Sequence, residues 1–237
     1  MVNKKLIDQY KGCTLCPNCE NQLKVYGSGN LKAEIAVVGE GPGKDEVAEG
    51  APFVGAAGQL LNKILAAIDL KREDLYFTNA VLCRTDDKNR TPTKTEYTNC
   101  RKRLFDELYI VKPHITLLVG SIALKTVMGD DYAIMKSHGQ WFTGLSMPCY
   151  FYFAILHPAW ILHSSTEGET RARKKTMWED IKEFKSGIEV LNDTINWGTV
   201  TDEIIGKRRE GISSEILPEG REGGNIGGLE GTLQEGM

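Results

Sequence analysis

Four short apolar runs, each emptying directly into glycine or polar residues, constrain this chain more than any other feature. They are Glu34-Ile35-Ala36-Val37-Val38-Gly39, Leu75-Tyr76-Phe77-Thr78-Asn79-Ala80-Val81-Leu82, His114-Ile115-Thr116-Leu117-Leu118-Val119-Gly120 and Tyr150-Phe151-Tyr152-Phe153-Ala154-Ile155-Leu156. Unbroken apolar runs of this length, rich in β-branched and aromatic residues, read as strands buried on both faces. Between them the apolar spacing is helical. From Gly55 it recurs at Ala57, Leu60, Leu61, Ile64, Leu65 and Ile68. Further helices are expected over residues 95–108, over 121–128, and over 169–185, with Met177, Trp178, Ile181 and Phe184 on one side. Strands alternating with helices predict a three-layer α/β/α sandwich around a central, mostly parallel four-stranded sheet. Such sheets bind ligands beyond the carboxyl ends of their strands. Three of the runs end at Gly39-Glu40, Asn79-Ala80 and His157-Pro158, so one cleft is expected there, with Gly120-Ser121 helping to shape it.

Charge divides the chain. Residues 1–185 hold 25 Lys/Arg and 22 Asp/Glu, whereas residues 186–237 hold 4 and 10. A single domain is expected over 1–185, followed by an acidic, Gly- and Glu-rich tail over 186–237. The tail composition cannot bury enough apolar surface to offset its ordering entropy, so it is expected to be largely disordered and is a candidate docking segment for a protein partner. No apolar run approaches the roughly 18 residues that span a bilayer, and the first residues lack the apolar core of a signal peptide. A cytoplasmic monomer without membrane contact is expected. The mildly basic body is compatible with nucleic acid but does not require it.

The segment Gly39-Glu40-Gly41-Pro42-Gly43-Lys44-Asp45-Glu46 fits neither common glycine-rich motif. A phosphate-binding P-loop fails on spacing, and Asp45 stands where Ser or Thr should meet magnesium. The dinucleotide fingerprint fails because no helix begins directly after the turn. The plain reading is a strand-to-helix turn. Six cysteines in a chain expected to be cytoplasmic point to metal or redox chemistry rather than disulfides. Cys13 and Cys16 form a chelating pair, and Cys83 and Cys100 could complete four thiolates. Spacing alone suits structural zinc and an iron–sulfur cluster equally. Cys16 and Cys19 are also a legal pair, and buried free thiols are the plain alternative.

The run Gly-Glu-Gly-Pro-Gly at residues 39–43, Glu46, and then Gly50-Ala51-Pro52-Phe53-Val54-Gly55-Ala56-Ala57-Gly58-Gln59-Leu60-Leu61 resembles the first motif of the family 4, iron–sulfur-containing uracil-DNA glycosylases. Further matches follow in order: Asn79, Cys83-Arg84, Asn89-Arg90-Thr91-Pro92, Glu96, Cys100, His157-Pro158-Ala159, and a basic last helix with Trp178. The resemblance covers residues 10–185. The chain departs from the pattern at Val47, at Ser137-His138 and at His163.

The resemblance implies a DNA-repair hydrolase that acts on uracil-containing DNA in a prokaryotic, archaeal or phage-infected cell. It implies a [4Fe–4S] cluster on Cys13, Cys16, Cys83 and Cys100, leaving Cys19 and Cys149 spare. The flipped uracil is expected to stack on Phe53 and to be read at its amide edge by Asn79. His157 is expected to donate to uracil O2 as charge builds there, helped by backbone N–H groups at Glu40-Gly41. Glu40 and Glu46 are both candidates to orient water, and sequence does not choose between them. Arg84 and Arg90, with Lys88 and Lys94, suit phosphate contacts. Trp160, Ile161 and Leu162 form a candidate wedge for the gap in the DNA. Two other readings stand beside this one: a non-catalytic module that binds uracil-containing or damaged DNA, and a small redox protein.

Overall fold

The computed structural model describes residues 4–16, 19, 23–86, 88–143 and 149–195. Four parallel strands form the middle of the sheet: β2 (Ile35–Gly39), β3 (Tyr76–Asn79), β4 (Ile115–Val119) and β6 (Phe151–Ile155). They are the four apolar runs. The sheet has six strands rather than four, in the order β1-β3-β2-β4-β6-β5, because β1 (Ser28–Gly29) and β5 (Gln140–Thr143) close its two edges as antiparallel partners. Both edge strands are short and polar in part. They lack the unbroken apolar signature because each has only one neighbour to satisfy.

Side chains alternate between the faces with the period of a strand. Ile35, Val37, Phe77, Leu117, Val119, Phe153 and Ile155 point to one face. They pack with α3 (Ala56–Ala66), α7 (Ala159–Leu162) and α8 (Glu167–Thr194). Ala36, Val38, Tyr76, Leu118, Tyr152 and Ala154 point to the other, against α4 (Lys94–Val111) and α5 (Ser121–Met128). The expected three layers follow. On the first face Trp141, Phe153 and Phe184 form an aromatic triple with centroid separations of 4.9, 5.5 and 5.1 Å, which seats α8. His138 Nδ1 lies 3.0 Å from the Asp180 carboxylate and ties the approach to β5 to the same helix.

Smaller elements complete the chain: α1 (Lys4–Tyr10), a 3-10 turn over Arg72–Asp74, α6 (Ile134–Ser137), and α2 (Lys44–Glu49). The last is a six-residue helix that begins directly after the glycine turn, where no helix was expected, because Gly43 caps it and it carries no buried apolar residue to signal it. The last helix runs past the expected end of the domain at residue 185. Its extension carries Leu191, which is buried, and is flanked by Ile188 and Ile195 packed on the first core. The expected acidic tail otherwise falls outside the described residues. Among the described residues no helix is long and apolar enough to cross a membrane.

From β2 the chain steps to β3 on one side and later returns to β4 on the other. The carboxyl end of β2 is therefore the switch point where a crevice opens. Gly39, Asn79, Gly120 and His157 all lie at or just beyond that edge.

Candidate active site and thiol recess

Gly39 and Asn79 are paired residues of β2 and β3, so the register alone brings them side by side. The pairing continues past both strands, with Ala80 N–H donating to Gly39 O at 2.8 Å and Val81 N–H to Glu40 O at 3.1 Å. A Cβ on residue 39 would sit 2.5 Å from Asn79 Oδ1 and 2.5 Å from Phe53 Cζ. Both approaches are closer than van der Waals contact allows, so only glycine leaves the carboxamide and the ring facing one another here. The Asn79 residue is buried, yet its carboxamide makes no hydrogen bond within the described residues. A carboxamide at the edge of a cleft, its donors and acceptors not sealed from solvent, is the chemistry of a recognition group.

Phe53 holds φ +57°, a left-handed conformation that costs a non-glycine residue about 1–3 kcal/mol. Its surroundings enforce it. Arg72 donates to Pro52 O at 2.7 Å and Phe53 O at 3.2 Å. Its guanidinium lies 4.2 Å from the Phe77 centroid, and Phe77 meets Phe53 edge-on at 5.6 Å. Just downstream, Glu46 accepts from Val54 N–H at 3.1 Å and Gly55 N–H at 2.8 Å, and also from Gly43 N–H at 3.0 Å. The Glu46 carboxylate is thus committed to clamping α2 onto the Phe53 loop. Glu40 differs. It is half-buried, and no side-chain hydrogen bond engages it among the described residues. Burial raises its carboxyl above the ordinary 4.5. Gly41 follows it, packed so that a Cβ would fall 2.6 Å from Val81 Cγ2.

His157 sits just beyond β6, against Gly120 at the end of β4. Gly120 has φ +89°, and a Cβ there would lie 3.1 Å from His157 Cβ, so both backbone and space require glycine. Ala159 N–H donates to His157 Nδ1 at 3.2 Å, which occupies that lone pair and leaves the proton on Nε2. Burial lowers the ring to about 4, against an opposing pull from the Glu46 charge. His157 is therefore a neutral Nε2–H donor at physiological pH.

The expected wedge splits. Ile161 is buried at 3% exposure and belongs to the core, Trp160 is half-buried under Arg173 at 4.9 Å, and Leu162 stands out at 48%. Arg173 also donates to Trp160 O and pairs with Glu169, fixing α7 from α8. The basic loop is likewise more structural than expected. Arg90 makes a two-pronged bond to Glu96 at 2.8 and 2.7 Å, and Lys94 pairs with Asp130. Lys88 is exposed.

A small recess, partly open to solvent, is lined by Cys16, Cys19, Cys83 and Cys100 together with Arg84 and Thr85. Cys19 Sγ lies 3.6 Å from Cys83 Sγ, and Asn99 Nδ2 lies 2.8 Å from Leu15 O and 3.6 Å from Cys16 Sγ. Burial pushes the Cys16 and Cys19 thiols up to about 11. Cys13, expected as the fourth member, is half-buried and lies outside the lining; Cys149 is sealed in the second core. Among the described residues no three His, Cys, Asp or Glu side chains stand ready to hold a single metal ion.

The carboxyl edge of the sheet thus carries an aromatic ring in a left-handed turn, a carboxamide and a neutral imidazole donor. The sequence model of the Uracil DNA glycosylase superfamily matches residues 26–182, and the chain belongs to that superfamily. Its curated relatives are narrower in kind. Over 187 residues it is 36% identical to the type-4 uracil-DNA glycosylase of Thermotoga maritima, covering 77% of this chain and 92% of that protein. The type-4 uracil-DNA glycosylase of Archaeoglobus fulgidus is 47% identical over 123 residues, 52% of this chain and 61% of that protein. That of Saccharolobus solfataricus is 33% identical over 195 residues, 79% and 88%.

Proposed function

We propose that this chain is a type-4 uracil-DNA glycosylase of base excision repair, hydrolysing the N-glycosidic bond of a uracil turned out of DNA in the cytoplasm. The observation that carries the reading is the slot above Gly39, where Phe53 and Asn79 meet only because residue 39 has no side chain. A uracil ring lying on Phe53 offers its N3–H and O4 to the Asn79 carboxamide. Cytosine presents the reversed pattern, and each unpaired buried group costs about 1–3 kcal/mol.

Departure of the base leaves negative charge on uracil O2. His157, neutral and donating from Nε2, suits that oxygen better than an imidazolium would. A charged ring would bind phosphate or carboxylate indiscriminately, whereas a neutral donor adds stabilisation as charge develops. Backbone N–H groups near Gly41 share the task. Of the two carboxylates, Glu40 is the one left to orient water and to offset the cationic sugar, because Glu46 is spent on the loop. Leu162 fills the space that the everted nucleotide vacates. Arg84 and Lys88 supply phosphate contacts.

Four thiols around one recess suit a [4Fe–4S] cluster, and thiolate is the ligand such clusters take. Bound there, the cluster supplies no step of the hydrolysis; it ties the N-terminal segment to α4 and to the loop after β3. Cys16, Cys83 and Cys100 are common to spacing and geometry. The fourth ligand is Cys19 by geometry and Cys13 by family spacing. Iron content of Cys13→Ser and Cys19→Ser proteins decides between them.

The activity test is direct. An oligonucleotide with one uracil, incubated with the protein and then treated with alkali, is expected to break at that position; an intact strand contradicts the proposal.

A further inference from the structure

Arg103 is 1% exposed in the middle of α4, an expensive place for a guanidinium. Its Nη2 donates to two successive carbonyls, Asn79 O at 2.6 Å and Ala80 O at 3.1 Å. Its Nη1 donates to Glu107 Oε2 at 2.6 Å and Thr78 Oγ1 at 3.2 Å. Glu107, also 1% exposed, is saturated in turn by Thr78 Oγ1 at 2.7 Å, Tyr76 Oη at 2.7 Å and Gly27 N–H at 2.9 Å.

Neighbouring carbonyls in a regular strand point to opposite sides. Two that reach one nitrogen mark a chain turned on purpose, and the turn falls on Asn79. The opposite side of the same segment is pinned by Gly39 O and Glu40 O, which accept from Ala80 and Val81. The peptide carrying the carboxamide is therefore fixed from two sides, by the neighbouring strand and by one buried fork. Lysine could not replace that fork, because a point charge cannot hold two carbonyls and a carboxylate in a plane. Buried ion pairs often add no net stability over apolar residues of similar volume, so stability alone is a weak reason for this one.

We infer that Arg103, held by Glu107, is a positioning residue that aims the Asn79 carboxamide and so sets selectivity for uracil. This rests on the proposed reading of uracil by Asn79. It goes beyond that reading by assigning the selectivity to a side chain that never touches the base.

The test compares Arg103→Lys, Arg103→Met and the charge-balanced pair Arg103→Met with Glu107→Gln, each alone and combined with Asn79→Ala. All are assayed well below their unfolding midpoints. Single-turnover uracil release is expected to fall roughly 10–100-fold in the Arg103 proteins, the scale of a small misplacement of a reacting partner, with Arg103→Lys the mildest. Affinity for the same duplex without uracil is expected to stay unchanged. In the Asn79→Ala background, the Arg103 changes are expected to slow release less than about twofold further, because groups acting through one another are not additive. Equal slowing in both backgrounds, or no slowing in any folded Arg103 protein, overturns the inference while leaving the role of Asn79 intact. Wild-type release by Asn79→Ala itself overturns the uracil reading and this inference together.

Discussion

At the scale of single residues, the two carboxylates near the cleft have separate work. Glu46 accepts three backbone N–H bonds, and bonds to a charged group contribute about 1.5–3 kcal/mol each. Glu46→Gln is therefore expected to lower the unfolding midpoint measurably, and to slow catalysis only as the Phe53 loop loosens. Glu40→Gln is expected to leave the midpoint unchanged in calorimetry and to cut the rate. The pH profile separates them further. In its proposed role Glu40 acts ionised, and burial raises its pKa above 4.5, so the acid limb of kcat/KM is expected above that value and absent from Glu40→Gln. His157 titrates near 4 and stays neutral through the working range, so no inflection is expected near 6.5. The sign for stability follows from the same shift. As pH falls below 6.5 the unfolded chain takes up a proton that the folded ring refuses until about 4, so this site's contribution is lost on acidification through that window. The places of Asn79 and His157 were legible because each stands where an apolar run ends, whereas Phe53 entered only through the family resemblance. The burial of Ile161 was not: in a four-residue helix, which side faces the core depends on how α8 holds it. The clamp made by Glu46 was hidden as well, since it spans a loop whose path no local pattern records. Arg103 left one faint signal, an Arg–Glu pair four residues apart on the stripe that carries Cys100, Leu104, Leu108 and Val111.

At the scale of elements, α4 joins both sites. It begins with a capping box in which Thr93 accepts from Glu96 N–H while Glu96 accepts from Thr93 N–H, and Cys100 and Arg103 follow on its buried side. Removing the cap with Thr93→Ala is expected to cost about 1 kcal/mol, a drop of roughly 2–4 °C in the unfolding midpoint for a domain of this size. Arg90, with the Thr93 backbone and hydroxyl, holds the Glu96 carboxyl down at about 2. Its contribution to stability is thus present above 4.5 and fades as pH falls toward 2. On β2, Gly39→Ala is expected to fold yet to lose uracil release, since its methyl would occupy the slot between Asn79 and Phe53. The parallel strands were legible because burial on both faces leaves an unbroken apolar run. β1 and β5 were not, because edge strands two and four residues long carry too little pattern. The last helix outran its expected end because its final turns bury only Leu191, a thin signal within a polar stretch.

At the scale of the molecule, two assemblies meet across the sheet's end: the cleft proposed to take the base and the thiol recess, with α4 and the segment after β3 running between them. A structural cluster predicts a particular pattern of failure. Cys100→Ser is expected to lose iron and visible absorbance and to unfold at lower temperature, while uracil release at low temperature falls only with the folded fraction. The measurement that bears most directly on the whole account is single-turnover uracil release by folded His157→Ala and Asn79→Ala proteins. Both are expected to keep wild-type iron content and midpoint, and to release uracil about 10²–10³-fold more slowly, the usual loss for one oxyanion donor or one recognition group. Release at the wild-type rate by both would contradict it.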